Sequence, residues 1–359
     1  MQQKSIPFLL MRGGSSRGPF FNRADLPDKL EDLSKILISV TGSGHPLNID
    51  GIGGGNAVTT KVAMLSRSDD NWADIDYFFA QVSVEKQLVD YKPTCGNMLT
   101  AVGPAAIEMG LIPASDHVTE IRIRAVNTDA KVISRVQTPN KKVSYFGNAA
   151  IDGIPGTSAP IELLFLEVAG SSTGELFPTG DPINAIQGIE VTCMDVAMPM
   201  VIARAADLGL SGKETRVELD ANRALFERIE SIRVEAGGLM GMGDVSASVI
   251  PKFGLLSAVD QINNINCRYF MPWETHPTVA VTGSQCLASC ALARGTVAEG
   301  MMQTDDRIPA LITLHHPMGT MDVLIDYSIE NGRYVNNSAG LVRTARKIAS
   351  GEIFAHLAH

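Results

Sequence analysis

The stretch TCGNMLTAVGPAAIEMG, residues 94–110, decides the fold. Between Gly96 and Met109 it is apolar on nearly every face, and Gly110 stands where a helix C-cap belongs. A helix that is apolar all round is a buried one, so the segment predicts a helix at the centre of a domain rather than on its surface. The flanking sequence alternates as strands do. In VTEIRIRAV, residues 118–126, Ile121, Ile123 and Ala125 alternate with Arg122 and Arg124. Segments near 80–84, 132–136, 143–146 and 161–166 read the same way. Pro139-Asn140-Lys141 supplies turn chemistry for a hairpin between two of them. The first half is predicted to be a largely antiparallel or mixed sheet around one buried helix.

The second half repeats the device in TVAVTGSQCLASCALARG, residues 278–295, where a strand-like opening at 278–283 leads into a second run of small and apolar residues. Between the halves, GSSTGELFPTGDP at 170–182 has the composition of a linker or long loop. The predicted fold class is therefore α+β with mixed sheets, in two similar domains. The first covers residues 1–182 together with 341–359, the second 183–340. Past the boundary, Leu225, Ile229, Ile232 and Ala236 recur at helical spacing with Asp220 as an N-cap candidate, which predicts a helix on the outside of the second domain.

With 359 residues, 45% of them hydrophobic, the chain has apolar mass for more than one core. Its formal charge of −9 repels phosphate backbones and anionic lipid, so nucleic acid and membrane surfaces are not expected partners. The apolar stretch Ile6–Met11 is too short for a signal-peptide core, and no segment reaches the ~18 apolar residues of a membrane span. A cytoplasmic location is expected, and a homo-oligomer is compatible with this composition. Five cysteines, at 95, 193, 267, 286 and 290, form no CxxC, which argues against a disulfide framework or zinc site. Cys286 and Cys290 are read as core packing, and no metal cluster is expected.

Three glycine-rich segments carry the candidate chemistry: RGGSSRG at 12–18, DGIGGGNAVTTK at 50–61 and PTCGNM at 93–98. The middle one lacks the Gly before Lys of a phosphate loop, and Asn56 replaces the last glycine of a dinucleotide fingerprint. No cofactor is therefore expected. Cys95 directly precedes Gly96, Asn97 and the buried helix, where unpaired backbone N–H groups stabilise a thiolate or a bound carboxylate. Read alone, it is equally a small hydrophobe starting a core helix. Lys61 enters the apolar run Val62–Leu65; desolvated there it is a base, and reaching outward it is only a solvated strand end. Arg12 and Arg17 bracket Gly-Gly-Ser-Ser, where Ser15, Ser16 and two guanidinium groups can converge on carboxylates. Arg268 in NCRYFMP and His276 in ETHP are anion-binding candidates in the second half.

MRGGSSRG, IDGIGGGNAVTTKVA, DYFFAQV, TCGNMLTAVGPAAIEMG, CRYFMP and RTARKIASGEIF together resemble the PrpF/methylaconitate isomerase-like family, and especially its oxalomesaconate tautomerase (delta-isomerase) branch. The resemblance implies a diaminopimelate epimerase-like fold with the active site in the cleft between two domains. It also implies a catalytic lysine and cysteine, which fall on Lys61 and Cys95. The relatives that work as two-thiol racemases carry a second cysteine before the second helix. Here that stretch reads VAVTGSQ, with Cys286 displaced into the helix, and Gly283 and Ser284 join Arg12, Ser15, Ser16, Arg17, Asn56, Gly96, Asn97, Arg268 and His276 as the substrate-binding set. Where the family often has Thr-Ser-Lys, this chain has Ser15-Ser16-Arg17.

The function implied is a cofactor-free 1,3-allylic proton shift on oxalomesaconate or a close unsaturated tricarboxylate, in aromatic-compound degradation. Cis-trans isomerisation of 2-methylaconitate, delta-isomerisation of methylitaconate, and non-catalytic carboxylate binding stay open beside it.

Overall fold

A computed structural model describes residues 2–151 and 153–357. Two compact units emerge, Met1–Leu163 with Val342–His359, and Leu164–Leu341.

In the first unit, β1 (Gln2–Gly13) pairs antiparallel with β2 (Ser16–Asn22), followed by the helix α1 (Leu30–Thr41), β3 (Lys61–Arg67), β4 (Ile75–Val82) and a short β5 (Val89–Asp90). The helices α2 (Gly96–Leu99) and α3 (Val102–Glu108) come next, then β6 (His117–Ala125), β7 (Ala130–Thr138) and the start of β8 (Pro160–Leu166), within which the division between the units falls. Pairing is mixed: β2–β3 and β4–β6 run parallel, β3–β4 and β6–β7 antiparallel. The expected buried helix is there, with Met98, Leu99 and Val102–Ala106 all buried. It is broken once, because Pro104 has no N–H for the Thr100 carbonyl and its ring crowds that carbonyl. Gly110 ends it at φ +71 as expected, its N–H on the Ile107 carbonyl. The other sheet face carries α1, whose Leu33, Ile36, Leu37 and Val40 pack on Ile6, Phe21, Val62, Met64, Ala80 and Val82. A sheet covered on both faces has strands buried on both sides, which is why Val62–Leu65 reads as an unbroken apolar run.

The second unit orders β9 (Asn184–Ile186), β10 (Ile189–Asp195), β11 (Pro199–Arg204), α4 (Arg216–Ala221), α5 (Arg223–Leu239), β12 (Lys252–Ala258) and β13 (Asn264–Phe270). α6 (Val281–Leu292), β14 (Ala310–His316), β15 (Gly319–Glu330) and β16 (Arg333–Leu357) complete the chain. Its sheet is also mixed, β11–β12 and β13–β14 being parallel. One face packs on α6, buried from Gly283 through Cys290. The other packs on α5 through Leu225, Ile229, Ile232 and Ala236. The start of β16 pairs with β15 in this unit, and Ala345–Leu357 pairs antiparallel with β1 in the first.

Four expectations are corrected. The boundary expected within the 170–182 segment falls earlier, and that segment, read as a linker or long loop, is an ordered loop of the second unit. The buried Asp195 carboxylate accepts hydrogen bonds from the backbone N–H of Ser172 (2.7 Å) and Thr173 (2.8 Å) and from the Thr173 hydroxyl (3.0 Å), and the division falls at Leu163/Leu164. Residues 143–146 form no strand: Ser144 N–H reaches the Gln137 carbonyl, and Phe146 is 93% exposed. The 278–283 segment is no strand either, since helix α6 already begins at Val281, with Ser284 N–H on the Ala280 carbonyl and its hydroxyl on the Val281 carbonyl. Asn222, not Asp220, caps α5 through the Leu225 N–H, while Asp220 lies in α4 and accepts from Thr275 N–H. Cys286 and Cys290 are core packing, as read. No helix among the described residues is long and apolar enough to cross a membrane.

Candidate functional site

The β1–β2 hairpin is built so that two other segments can touch its backbone. A Cβ on Gly18 would fall 1.7 Å from the Lys61 carbonyl oxygen, and one on Gly13 2.3 Å from the Asn97 carbonyl oxygen. On Gly14, at φ +50, it would meet the Asn97 side chain at 2.2 Å. Three glycines therefore bring the start of β3 and the start of α2 against one turn, a closeness no side chain allows.

That packing sets Lys61 and Cys95 side by side. Lys61 Nζ donates to Cys95 Sγ at 3.1 Å and to Ser16 Oγ at 3.2 Å. Cys95 is the N-cap residue of α2 and is 9% exposed, Ser16 is buried, and Lys61 is partly buried. The Cys95 carbonyl accepts from the Tyr77 hydroxyl, 3.3 Å away, and from Leu99 N–H. Burial, and after it the Cys95 thiol, push the Tyr77 phenol far above its ordinary value, so it is a fixed donor. An amine and a thiol in contact, on rigid backbone and mostly out of water, are a pair able to pass a proton between them.

Around this pair, Asn97 Nδ2 donates to Ser15 Oγ at 3.1 Å. A Cβ on Gly96 would meet nothing within 4 Å, so the approach over Gly96 is open. Arg17 is partly buried, and its Nε is buried with no hydrogen-bond partner among the described residues. Arg12 differs. Its Nη1 donates to the carbonyls of Gly14 and Thr344 and to the Thr344 hydroxyl, and burial, followed by Arg346, lowers its pKa. Through Nη1 it braces the hairpin against Thr344. Asn56 is exposed, and its Oδ1 caps the Val58 N–H.

The four candidates from the second unit have these contacts within that unit. Arg268, 5% exposed, spends its guanidinium on the carbonyls of Glu214 (2.7 Å), Cys267 (2.7 Å) and His315 (3.3 Å). His276 Nδ1 accepts from Thr278 N–H at 3.0 Å, and its ring stands edge-on to Tyr269 at 5.7 Å. Burial, its largest influence, lowers its pKa and so disfavours the imidazolium. Gly283 gives room to the Tyr269 ring, which a Cβ would meet at 2.2 Å, and Ser284 bonds back into its own helix. Cys286, fully buried with Sγ 3.5 Å from the Met194 carbonyl, has a pKa held well above the ordinary thiol value by burial. No second thiol stands at the α6 N-cap, which is Ala280.

Tyr77 escaped the sequence reading. Its signal was present: in DYFFAQV it takes an inward position of a strand close to the site segments.

The chain matches the PrpF protein family over residues 3–356. It is 49% identical over 355 residues to the YbhH protein of Escherichia coli, covering 98% of this chain and 99% of that one. It is 41% identical over 353 residues to 4-oxalomesaconate tautomerase of Pseudomonas putida, covering 98% and 97%. The crystal structure of a methylitaconate-delta-isomerase superposes with a TM-score of 0.88 at 30% identity, over 99% of this chain and 96% of the other. Family, full-length relatives and a full-length structural match agree: the chain belongs to the PrpF family and is an isomerase.

Proposed function

We propose that this isomerase carries out a cofactor-independent 1,3-allylic proton shift on 4-oxalomesaconate or a close unsaturated tricarboxylate, in aromatic-compound degradation in the cytoplasm. The observation that carries the reading is the 3.1 Å contact between Lys61 Nζ and Cys95 Sγ.

Lys61 acts as the base and removes the C–H proton acidified by the substrate's conjugated carbonyl. The electron pair moves into a dienolate, with the carbonyl oxygen as sink. The Cys95 thiol then delivers its proton to the far carbon of the allylic unit, and the double bond has moved. This leaves an ammonium and a thiolate in contact, and proton return from Lys61 to Cys95 resets the pair with no external donor. Tight proton passage of this kind needs both groups held near 3 Å, which the Ser16 and Tyr77 contacts supply. Ser15, Asn97 and the open face at Gly96 are the contacts for one carboxylate, and the Arg17 fork for another.

Identity of 41% to the Pseudomonas tautomerase, against 30% to the methylitaconate isomerase of known structure, supports the tricarboxylate over a methyl-substituted acid. Proton NMR in deuterium oxide, with oxalomesaconate, methylaconitate and methylitaconate offered in turn, tests it. Double-bond migration of oxalomesaconate at the highest kcat/KM is expected. Turnover of methylitaconate or methylaconitate alone sinks the substrate assignment, and turnover of none sinks the reaction.

A further inference from the structure

Gly54 stands in the loop between α1 and β3, exposed and outside the left-handed backbone region, so its conformation does not explain why the residue is glycine. Room does. A Cβ there would lie 2.7 Å from Arg17 Nη2 and 2.7 Å from Thr59 Oγ1. The loop itself is firmly wound. Asn48, 1% exposed, donates to the carbonyls of Gly42, His45 and Val84 and accepts from Gly55 N–H at 2.8 Å. Thr59 is tied by its hydroxyl and its N–H to the Asn56 carbonyl, both at 2.9 Å.

We propose that Gly54 is a specificity-determining position, whose missing side chain leaves the space in which the Arg17 guanidinium lies at the angle a planar substrate carboxylate requires. The proposal rests on the reading of Arg17 as a carboxylate ligand. Of the two side chains a methyl group at 54 would strike, Thr59 is branched and doubly bonded, whereas Arg17 ends a flexible stem. Arg17 gives way. A fork that recognises a carboxylate through two parallel N–H groups loses that match with a small tilt, while the Lys61–Cys95 pair is untouched. Gly54 is thus a positioning residue acting through Arg17.

The test is a double-mutant cycle of Gly54→Ala and Arg17→Met, with steady-state kinetics on the acid of the NMR panel that turns over, and thermal midpoints recorded for each variant. Gly54→Ala is expected to raise KM about tenfold with kcat within about twofold and the midpoint unchanged. Arg17→Met is expected to raise KM more, and Gly54→Ala to add nothing on that background. If Gly54→Ala leaves KM unchanged while Arg17→Met raises it, or raises it equally in both backgrounds, Gly54 does not act through Arg17 and the inference falls alone. If Arg17→Met leaves KM unchanged, the carboxylate reading of Arg17 falls first and takes the inference with it. Should Gly54→Ala lower the thermal midpoint, Thr59→Ala is added to remove the Oγ1 contact and leave the Arg17 one, judged by the same cycle.

Discussion

Lys61 Nζ lies 3.1 Å from Cys95 Sγ, although 34 residues separate them in the chain. In the proposed mechanism neither side chain moves the proton by itself; the contact does, because each group is the other's proton store. Lys61→Met and Cys95→Ser are therefore expected each to lower kcat by ~10²–10⁴-fold, the usual cost of losing a positioned acid or base. Unfolding midpoints should stay close to the parent's. A variant that keeps near-normal turnover removes that residue from the mechanism, and if it is Cys95→Ser, a hydroxyl or water at the α2 N-cap suffices.

Thiol reactivity offers a check that needs no substrate. Burial pushes Cys193, Cys267 and Cys290 up to about 12, and Cys286 well above the ordinary thiol value. All four are at most 1% exposed, against 9% for Cys95. Since the thiolate is the reactive form, iodoacetamide on the folded protein at neutral pH should add one group, at Cys95, with loss of activity in step. Peptide mass spectrometry showing labelling at Cys267 or Cys290 before Cys95 would contradict this order.

The part of the site legible in the sequence was the part built from local glycine-rich chemistry. RGGSSRG, TTK and TCGN are short motifs whose residue types stand out locally, which is why the sequence singles out Lys61, Cys95, Ser15, Ser16 and Asn97, although the contacts among them span 34 to 82 residues. Less legible were competing partners. Arg268 Nε and Nη1 donate to carbonyls as distant in sequence as Glu214 and His315, and nothing near Arg268 announces them. The TVAVTG stretch has the β-branched residues of a strand, yet α6 starts at Val281, itself exposed, just ahead of the buried run from Gly283 to Cys290. The central helices were legible because all-round apolarity has one explanation, and the break at Pro104 follows from its missing N–H.

The hairpin's closeness to β3 makes a sharp prediction at Gly18. A methyl group there would stand 1.7 Å from the Lys61 carbonyl oxygen and 2.8 Å from its carbon. Backbone cannot rotate aside as a side chain does, so β2 and β3 must separate. Gly18→Ala is expected to cost about 1–3 kcal/mol in urea unfolding, the range for overpacking a close interior contact. It should also cut kcat sharply by shifting Lys61. Parental stability and turnover in this variant would mean the two strands move freely, and that the site is less fixed than its contacts imply.

Metal removal is expected to change nothing. No group of three His, Cys, Asp or Glu side chains suited to a metal ion occurs among the described residues, and the proposed proton cycle closes between Lys61 and Cys95. Full activity should survive exhaustive chelation. Activity regained only when a divalent ion is added back would require a different electrophile at the substrate carbonyl.

His276 predicts a pH dependence of stability rather than of binding. Its Nδ1 must be the unprotonated nitrogen, because a backbone N–H, that of Thr278, donates to it. Burial is the largest influence on the ring and lowers its pKa from the ordinary 6.5. The unfolded chain therefore takes up a proton at this residue at a higher pH than the folded chain does. Stability attributable to the neutral imidazole is present above 6.5, falls as pH drops through that value, and stops falling below the lowered folded pKa. His276→Gln keeps a polar side chain but does not titrate. Urea unfolding of parent and variant at several pH values between 5 and 8 should thus show the parent's advantage shrinking towards acid. A difference that stays constant across that range would mean the folded imidazole titrates as the unfolded one does. A difference that grows towards acid would mean His276 gains a proton on folding, and would restore it as a candidate anion-binding cation.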